Sequence, residues 1–120
     1  MVSIIARWGT LFIASIHGLL AIMEIFMAPM ALERSFGMSP AIAQEAAKIA
    51  QNAGIYNSFI AAGLVWATFA TKERQALRFF FLICVIIAGI FGAFTLKWTT
   101  LVIQTLPAVI VLFCVVNDPN

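Results

Sequence analysis

The chain has 120 residues, of which 63% are hydrophobic and 10% charged, and its formal net charge is +2. A soluble domain of this size buries only about two-thirds of the surface its unfolded chain exposes and carries about 25% charged residues, so the composition excludes an ordinary water-facing fold and points to lipid as the solvent. The small, scattered positive charge, with no basic run and no interleaving of aromatic and basic residues, excludes a nucleic-acid partner.

Four apolar stretches follow in chain order, approximately 4–27, 53–71, 77–96 and 99–116. Each is near the roughly 20 residues that cross a hydrocarbon core about 30 Å thick, and backbone groups in lipid must satisfy one another within a helix. The expected fold is therefore all-α. It is an integral membrane four-helix bundle forming one membrane domain over residues 1–120, with an additional amphipathic helical segment between spans one and two.

Span one imitates a signal peptide, because Arg7 precedes an apolar region and small residues follow near Ala28. Its length and the presence of Glu24 make it a true span instead. The connection after it holds Glu33, Arg34, Glu45 and Lys48. Within it, Ser39-Pro40 reads as an N-cap followed by proline at the first helical position, and Ile42, Ala46, Ile49 and Ala53 then repeat at helical spacing. The segment at approximately 40–52 either lies on the membrane surface or runs unbroken into span two, with Gly54 as the bend if there is one.

The turn Lys72-Glu73-Arg74-Gln75 leads into span three, and a hairpin around Lys97-Trp98 leads into span four. Arg7, Lys72, Arg74 and Arg78 fall on one side and Arg34, Lys48 and Lys97 on the other, a balance that favours cytoplasmic termini. Span three carries Ala88, Gly89, Gly92 and Ala93, two overlapping pairs of small residues that let another helix approach closely, within the bundle or in a second copy of the chain. Cys84 and Cys114 sit in apolar runs, where a free thiol behaves as a small hydrophobe and no disulfide framework is implied. Tyr56, Trp66 and Trp8 read as interfacial or packing aromatics.

Two polar residues in span one need a physical reason, because a charge near the bilayer centre costs roughly 3 kcal/mol on insertion scales. His17 and Glu24 are seven residues apart, so they share a helix face at about 10.5 Å separation. That gap is too long for a direct hydrogen bond and suits a water, an ion, a small ligand or a side chain from another helix. Following the chain up and down places Glu24, Asn52, Asn57, Thr95 and Gln104 at one level, with His17 continuing inward. Pro107, one turn beyond Gln104, releases the carbonyl of Ile103 from its helical bond, and the two together are able to accept a ligand. The expected ligand- or proton-binding residues are thus His17, Glu24, Asn52, Asn57, Thr95 and Gln104. The blander alternatives are a headgroup-level Glu24 and interhelical hydrogen bonding by the others.

A family resemblance rests on His17 with Glu24-Ile25-Phe26, on Phe36-Gly37-Met38-Ser39, and on Asn52-Ala53-Gly54-Ile55-Tyr56-Asn57 with Ala61-Ala62-Gly63-Leu64-Val65-Trp66. It continues through Phe80-Phe81-Leu82-Ile83-Cys84-Val85, Ala88-Gly89-Ile90-Phe91-Gly92-Ala93, Thr95, and Gln104 with Pro107-Ala108. In these features the chain resembles the uncharacterised domain-of-unknown-function 1304 family of small, mainly bacterial membrane proteins. The resemblance covers nearly the whole chain and implies four spans in a bacterial inner membrane, with no established activity. Departures are Ala53 in place of the family's usual glutamine, Ser58 in place of glycine, Thr105-Leu106 in place of a glycine pair, and Ala28 in place of tryptophan. If that glutamine belongs to a ligand site, this member binds something different or nothing.

Three functions follow as expectations. In the first, a polar pocket in one leaflet binds or transports a small molecule, a lipid, a proton or an ion, with residues 39–51 as its rim and proton exchange at Glu24 driving release. The layout, four spans with a glutamate in the first, is similar to that of small multidrug-resistance transporters, although their motifs are missing. In the second, the chain is a structural or assembly subunit, the polar cluster fixing helix register and the small-residue face docking a partner; a gap between His17 and Glu24 filled by side chains would favour this. The third is a lipid-acting enzyme with His17 and Glu24 as acid and base. It lacks a nucleophile motif, a phosphate loop and a full metal set, since a zinc site needs at least three protein ligands. No catalytic residue, metal or cofactor is expected.

Overall fold

The computed structural model describes residues 1–118, which are all-α, with no strand among the described residues. The helices are α1 (Val2–Phe26), α2 (Ala28–Phe36), α3 (Pro40–Phe69), α4 (Arg74–Thr95) and α5 (Leu106–Val116), the last preceded by a π-helical turn at Leu101–Thr105. The chain divides into two compact units, Ser15–Ala61 and Met1–Ala14 with Ala62–Asn120.

In the Ser15–Ala61 unit, α1 breaks at Met27 and α2 starts with Pro29 in its first turn, where a missing N–H costs nothing. It ends at Gly37, whose φ of 65° is left-handed and whose N–H caps the Glu33 carbonyl at 3.0 Å. The sequence reading treats residues 28–36 as part of a connection and misses this helix, although the proline and glycine that bracket it are the standard start and stop signals.

α3 then begins at Pro40, with Ser39 Oγ accepting from the Ile42 N–H at 3.5 Å, as the N-cap reading expects. The segment at 40–52 and the apolar stretch that follows it are one unbroken helix of 30 residues, and Gly54 is no bend. Alanines at 41, 43, 46, 47, 50 and 53 give its first half high helix propensity, and Ala43 and Ala47 are buried. Gly54 instead serves close approach. A Cβ there would stand 2.8 Å from Ile25 Cγ1, 3.0 Å from Glu24 Cβ and 3.2 Å from the Ala21 carbonyl.

The other unit has its core in Ala6, Ile13, Leu64, Ala67, Leu82, Val85, Ala108, Val111 and Val115. Its small residues again mark close approach: Gly9 faces Val111, Gly63 faces the Phe81 ring, and Gly89 faces Thr105 and Gln104. Gly89 and Gly92 are buried, so this pair is used within the chain, between α4 and the segment that follows it, while Ala88 is exposed. Thr10 and Thr68 are buried and donate to carbonyls of their own helices, Ala6 at 2.6 Å and Leu64 at 2.8 Å. They thereby act as small, self-satisfied packing residues.

Pro107 acts as its chemistry requires. It has no N–H for the Ile103 carbonyl, and the helix accommodates it with one extra residue in the preceding turn, the Leu106 N–H bonding five residues back to Leu101.

Two helices, α1 and α4, are long and apolar enough to cross a membrane. Leu101–Val116 is apolar but shorter, and the first half of α3 is diluted by Gln44, Glu45, Lys48 and Gln51. Many large apolar side chains point outward; Phe94 is 87% exposed and Phe26 77%.

Candidate functional site

The polar residues of α1 and α3 meet within the Ser15–Ala61 unit because the two helices run antiparallel there, rising numbers on one facing falling numbers on the other. Gln51 Nε2 donates to the Ile25 carbonyl at 3.3 Å, Gly54 lies against Ala21, Glu24 and Ile25, and Asn57 follows one turn later. The absence of a side chain at Gly54 brings α3 near enough for the short Asn57 amide to reach α1.

Asn57 fills the gap between His17 and Glu24. Its Nδ2 donates to Glu24 Oε2 at 2.7 Å, and its Oδ1 lies 2.8 Å from His17 Nδ1. Since a carboxylate oxygen only accepts, the amide nitrogen must face Glu24 and the amide oxygen must face the ring. His17 Nδ1 therefore carries the proton in this arrangement. A neutral imidazole then leaves a lone pair on Nε2. That atom is buried and has no hydrogen-bond partner, in a residue only 3% exposed. Buried polar atoms are paired in the great majority of cases, so an orphaned acceptor here is an exception that calls for a physical reason. Glu24 and Asn57 are half-buried.

Of the six residues expected from sequence, the structure joins His17, Asn57 and Glu24 into one row. Asn52, on the same helix as Asn57, is exposed. Thr95 and Gln104 belong to the other unit, where Thr95 Oγ1 donates to the Phe91 carbonyl of its own helix at 2.9 Å and the Gln104 Cβ packs toward Gly89. An open groove of about 390 Å³ lined by Trp66, Phe69, Ala70, Thr71 and Lys72 contains none of the six. Among the described residues no group of three or more His, Cys, Asp and Glu side chains could hold a metal, and Cys84 and Cys114 are free thiols.

A second polar cluster escapes the sequence reading, which takes Arg78 only as a topology charge. Arg78 is 4% exposed, with its guanidinium 3.4 Å from the Thr68 carbonyl and 3.9 Å from Asp118. Ser3 Oγ donates to the same Asp118 at 2.7 Å, and Gln75 Nε2 donates to the Val115 carbonyl at 3.0 Å. Together they tie the starts of α1 and α4 to the end of α5. A charge inside the apolar run of Phe79, Phe80 and Phe81 is the same signal that singles out His17, and it would have found Arg78.

Two membrane-length apolar helices and a histidine–asparagine–glutamate row whose histidine is buried define, among the described residues, a small all-α protein with polar side chains paired between apolar helices. The chain belongs to the family described as protein of unknown function (DUF1304), whose model matches residues 11–116. No curated protein and no solved structure matches the chain.

Proposed function

We propose that this chain is a four-span integral membrane protein of a bacterial inner membrane that binds, and moves, a small ligand or a proton at the His17–Asn57–Glu24 row. In this reading α1, α3, α4 and the helix from Leu101 to Val116 each cross the bilayer, with the termini in the cytoplasm. The outward-facing phenylalanines and isoleucines support it, since so many exposed large apolar side chains call for a lipid or protein partner. The basic residues Arg7, Lys72 and Arg74 support the orientation.

The observation that carries the proposal is the unpartnered Nε2 of a buried histidine whose other nitrogen is fixed by Asn57 and, through it, by a glutamate. Ionisable groups inside a span cost free energy and are retained where they move protons or hold ligands. The Asn57 amide lodged between His17 and Glu24 favours a second reading, a scaffold whose polar row only fixes the register of α1 against α3. A scaffold, however, gains nothing from leaving Nε2 unsatisfied.

Reconstitution in vesicles loaded with a pH-sensitive dye separates the two. The wild-type protein should carry protons down an imposed pH gradient, and Glu24→Gln should remove that flux while keeping the fold. Equal flux in wild-type, Glu24→Gln and empty vesicles would leave the scaffold reading.

A further inference from the structure

Asn57 is an amide held between two groups that each change their hydrogen-bonding sense on protonation, and an amide reads differently from its two ends. As the row stands, the carboxylate of Glu24 takes the amide N–H, the amide oxygen takes Nδ1–H of His17, and Nε2 is a bare acceptor. A protonated Glu24 keeps one acceptor oxygen and gains an O–H donor, which needs an acceptor of its own. The amide supplies one by rotating half a turn about its last side-chain bond. Its oxygen then accepts from the Glu24 hydroxyl and its nitrogen donates toward His17, where Nδ1 must now be the lone pair and Nε2 must carry the proton.

We infer that Asn57 couples the protonation of Glu24 to the tautomer of His17, so that Nε2 is a hydrogen-bond acceptor when Glu24 is ionised and a donor when it is protonated. The inference rests on the row being the functional site proposed above, and it specifies what that site recognises. With Glu24 ionised the row takes a ligand that presents an N–H donor to Nε2, and protonation of Glu24 sets donor against donor there, whereas a hydroxyl, which both donates and accepts, is not turned away. The proton balance is simple. Glu24 gains one proton from water, the ring loses one from Nδ1 to water and gains one from water on Nε2, and the net uptake is one.

The remaining titratable side chains of the Ser15–Ala61 unit are Glu33 and Arg34 on α2 and Glu45, Lys48 and Tyr56 on α3. All are exposed, and none takes part in the hydrogen bonds of the row. The inversion therefore belongs to three residues, and Asn57 is the one that transmits it. Aspartate or leucine at this position would break it for different reasons, aspartate because it has no donor and leucine because it has neither donor nor acceptor.

The test uses the fact that the chain contains 1 histidine. The full-length protein, labelled with ring-15N histidine and held in lipid nanodiscs, gives one signal for each ring nitrogen, and each signal reports whether that nitrogen bears a proton. At alkaline pH Nδ1 should be protonated and Nε2 bare; on acidification the two should exchange roles. Asn57→Leu and Glu24→Gln should each show no exchange at any pH. A wild-type ring that keeps one pattern throughout overturns the inference, as does simultaneous protonation of both nitrogens, which is plain imidazolium formation. Exchange that persists in Glu24→Gln overturns it too, and this arm holds even where Asn57→Leu fails to fold. The assay needs no ligand and no flux, so its failure is distinct from failure of the vesicle experiment.

Discussion

Gly54 of α3 lies against the Ala21 carbonyl of α1, close enough that a Cβ would stand 3.2 Å from that oxygen and 2.8 Å from Ile25 Cγ1. This contact sets the spacing at which Asn57 reaches both His17 and Glu24. Enlarging it should therefore act on the row as well as on stability. Gly54→Val should cost about 1–3 kcal/mol as overpacking, read by thermal unfolding in detergent. It should also shift the ring-nitrogen signals of His17, although it touches neither hydrogen bond. Unchanged signals would mean that the row is not positioned by this approach.

The two hydrogen bonds of Asn57 predict a non-additive pattern. Asn57→Leu strands both the His17 N–H and the Glu24 carboxylate and should cost more than His17→Leu. The buried ring N–H left without its partner costs about 1–3 kcal/mol, and the half-buried carboxylate, which water reaches, costs less. The double variant should be less destabilised than the sum of the singles, by about 1 kcal/mol, because neighbours in one network couple. A double-mutant cycle measured by denaturant or thermal unfolding checks this. Strict additivity would show that the 2.8 Å contact between His17 and Asn57 does not persist in solution.

How much of this row the sequence discloses can be followed residue by residue. The seven-residue spacing of His17 and Glu24 defines a shared face with a gap of a size to admit a side chain from another helix, and Asn57 is that side chain. Depth arithmetic also places Thr95 and Gln104 at the same level, yet level says nothing of direction, and the Thr95 hydroxyl turns back to its own helix at Phe91. The orphaned Nε2 is beyond sequence reasoning altogether, since it follows from where every other donor points. The unbroken α3 is left open because propensity does not decide whether a glycine bends a helix or lets a neighbour in, whereas α2 is legible in Pro29 and Gly37 and is missed only when residues 28–52 are read as one connection. Pro107 is the reverse case. Its missing N–H foretells a distortion, but only packing selects a π turn over a kink.

The buried hydroxyl of Thr105 has no hydrogen-bond partner, beside Gly89. Thr105→Val removes an unsatisfied polar atom at nearly constant shape and should be neutral or stabilising by up to about 1 kcal/mol. Thr100 supplies the control, since its Oγ1 lies 2.9 Å from the Gly89 carbonyl. Thr100→Val should be destabilising by about 1 kcal/mol in the same unfolding assay. Equal effects from the two substitutions would contradict the hydrogen-bond assignment.

Arg78 and Asp118, 4% and 6% exposed, predict an asymmetric response. Arg78→Met leaves a buried carboxylate without its guanidinium and should cost about 3 kcal/mol. Adding Asp118→Asn should recover part of that loss, because the stranded charge is then removed. Ser3→Ala, which deletes one hydrogen bond to Asp118, should cost about 1 kcal/mol. Melting temperatures of these variants in one detergent give the order directly, and a double variant no better than Arg78→Met alone would rule out the charge-stranding account.

The continuity of α3 makes Pro40 and Asn57 two points on a single stiff rod, about 26 Å apart at the rise of an α-helix. A helix without a hinge cannot absorb displacement along its length, so a push or a rotation applied at its amphipathic beginning arrives at the amide largely undiminished. Gln44, Glu45 and Lys48 lie exposed on the same rod, at the end far from the amide. Whatever grips the polar start of this rod also sets the angle at which Asn57 presents itself to histidine and glutamate.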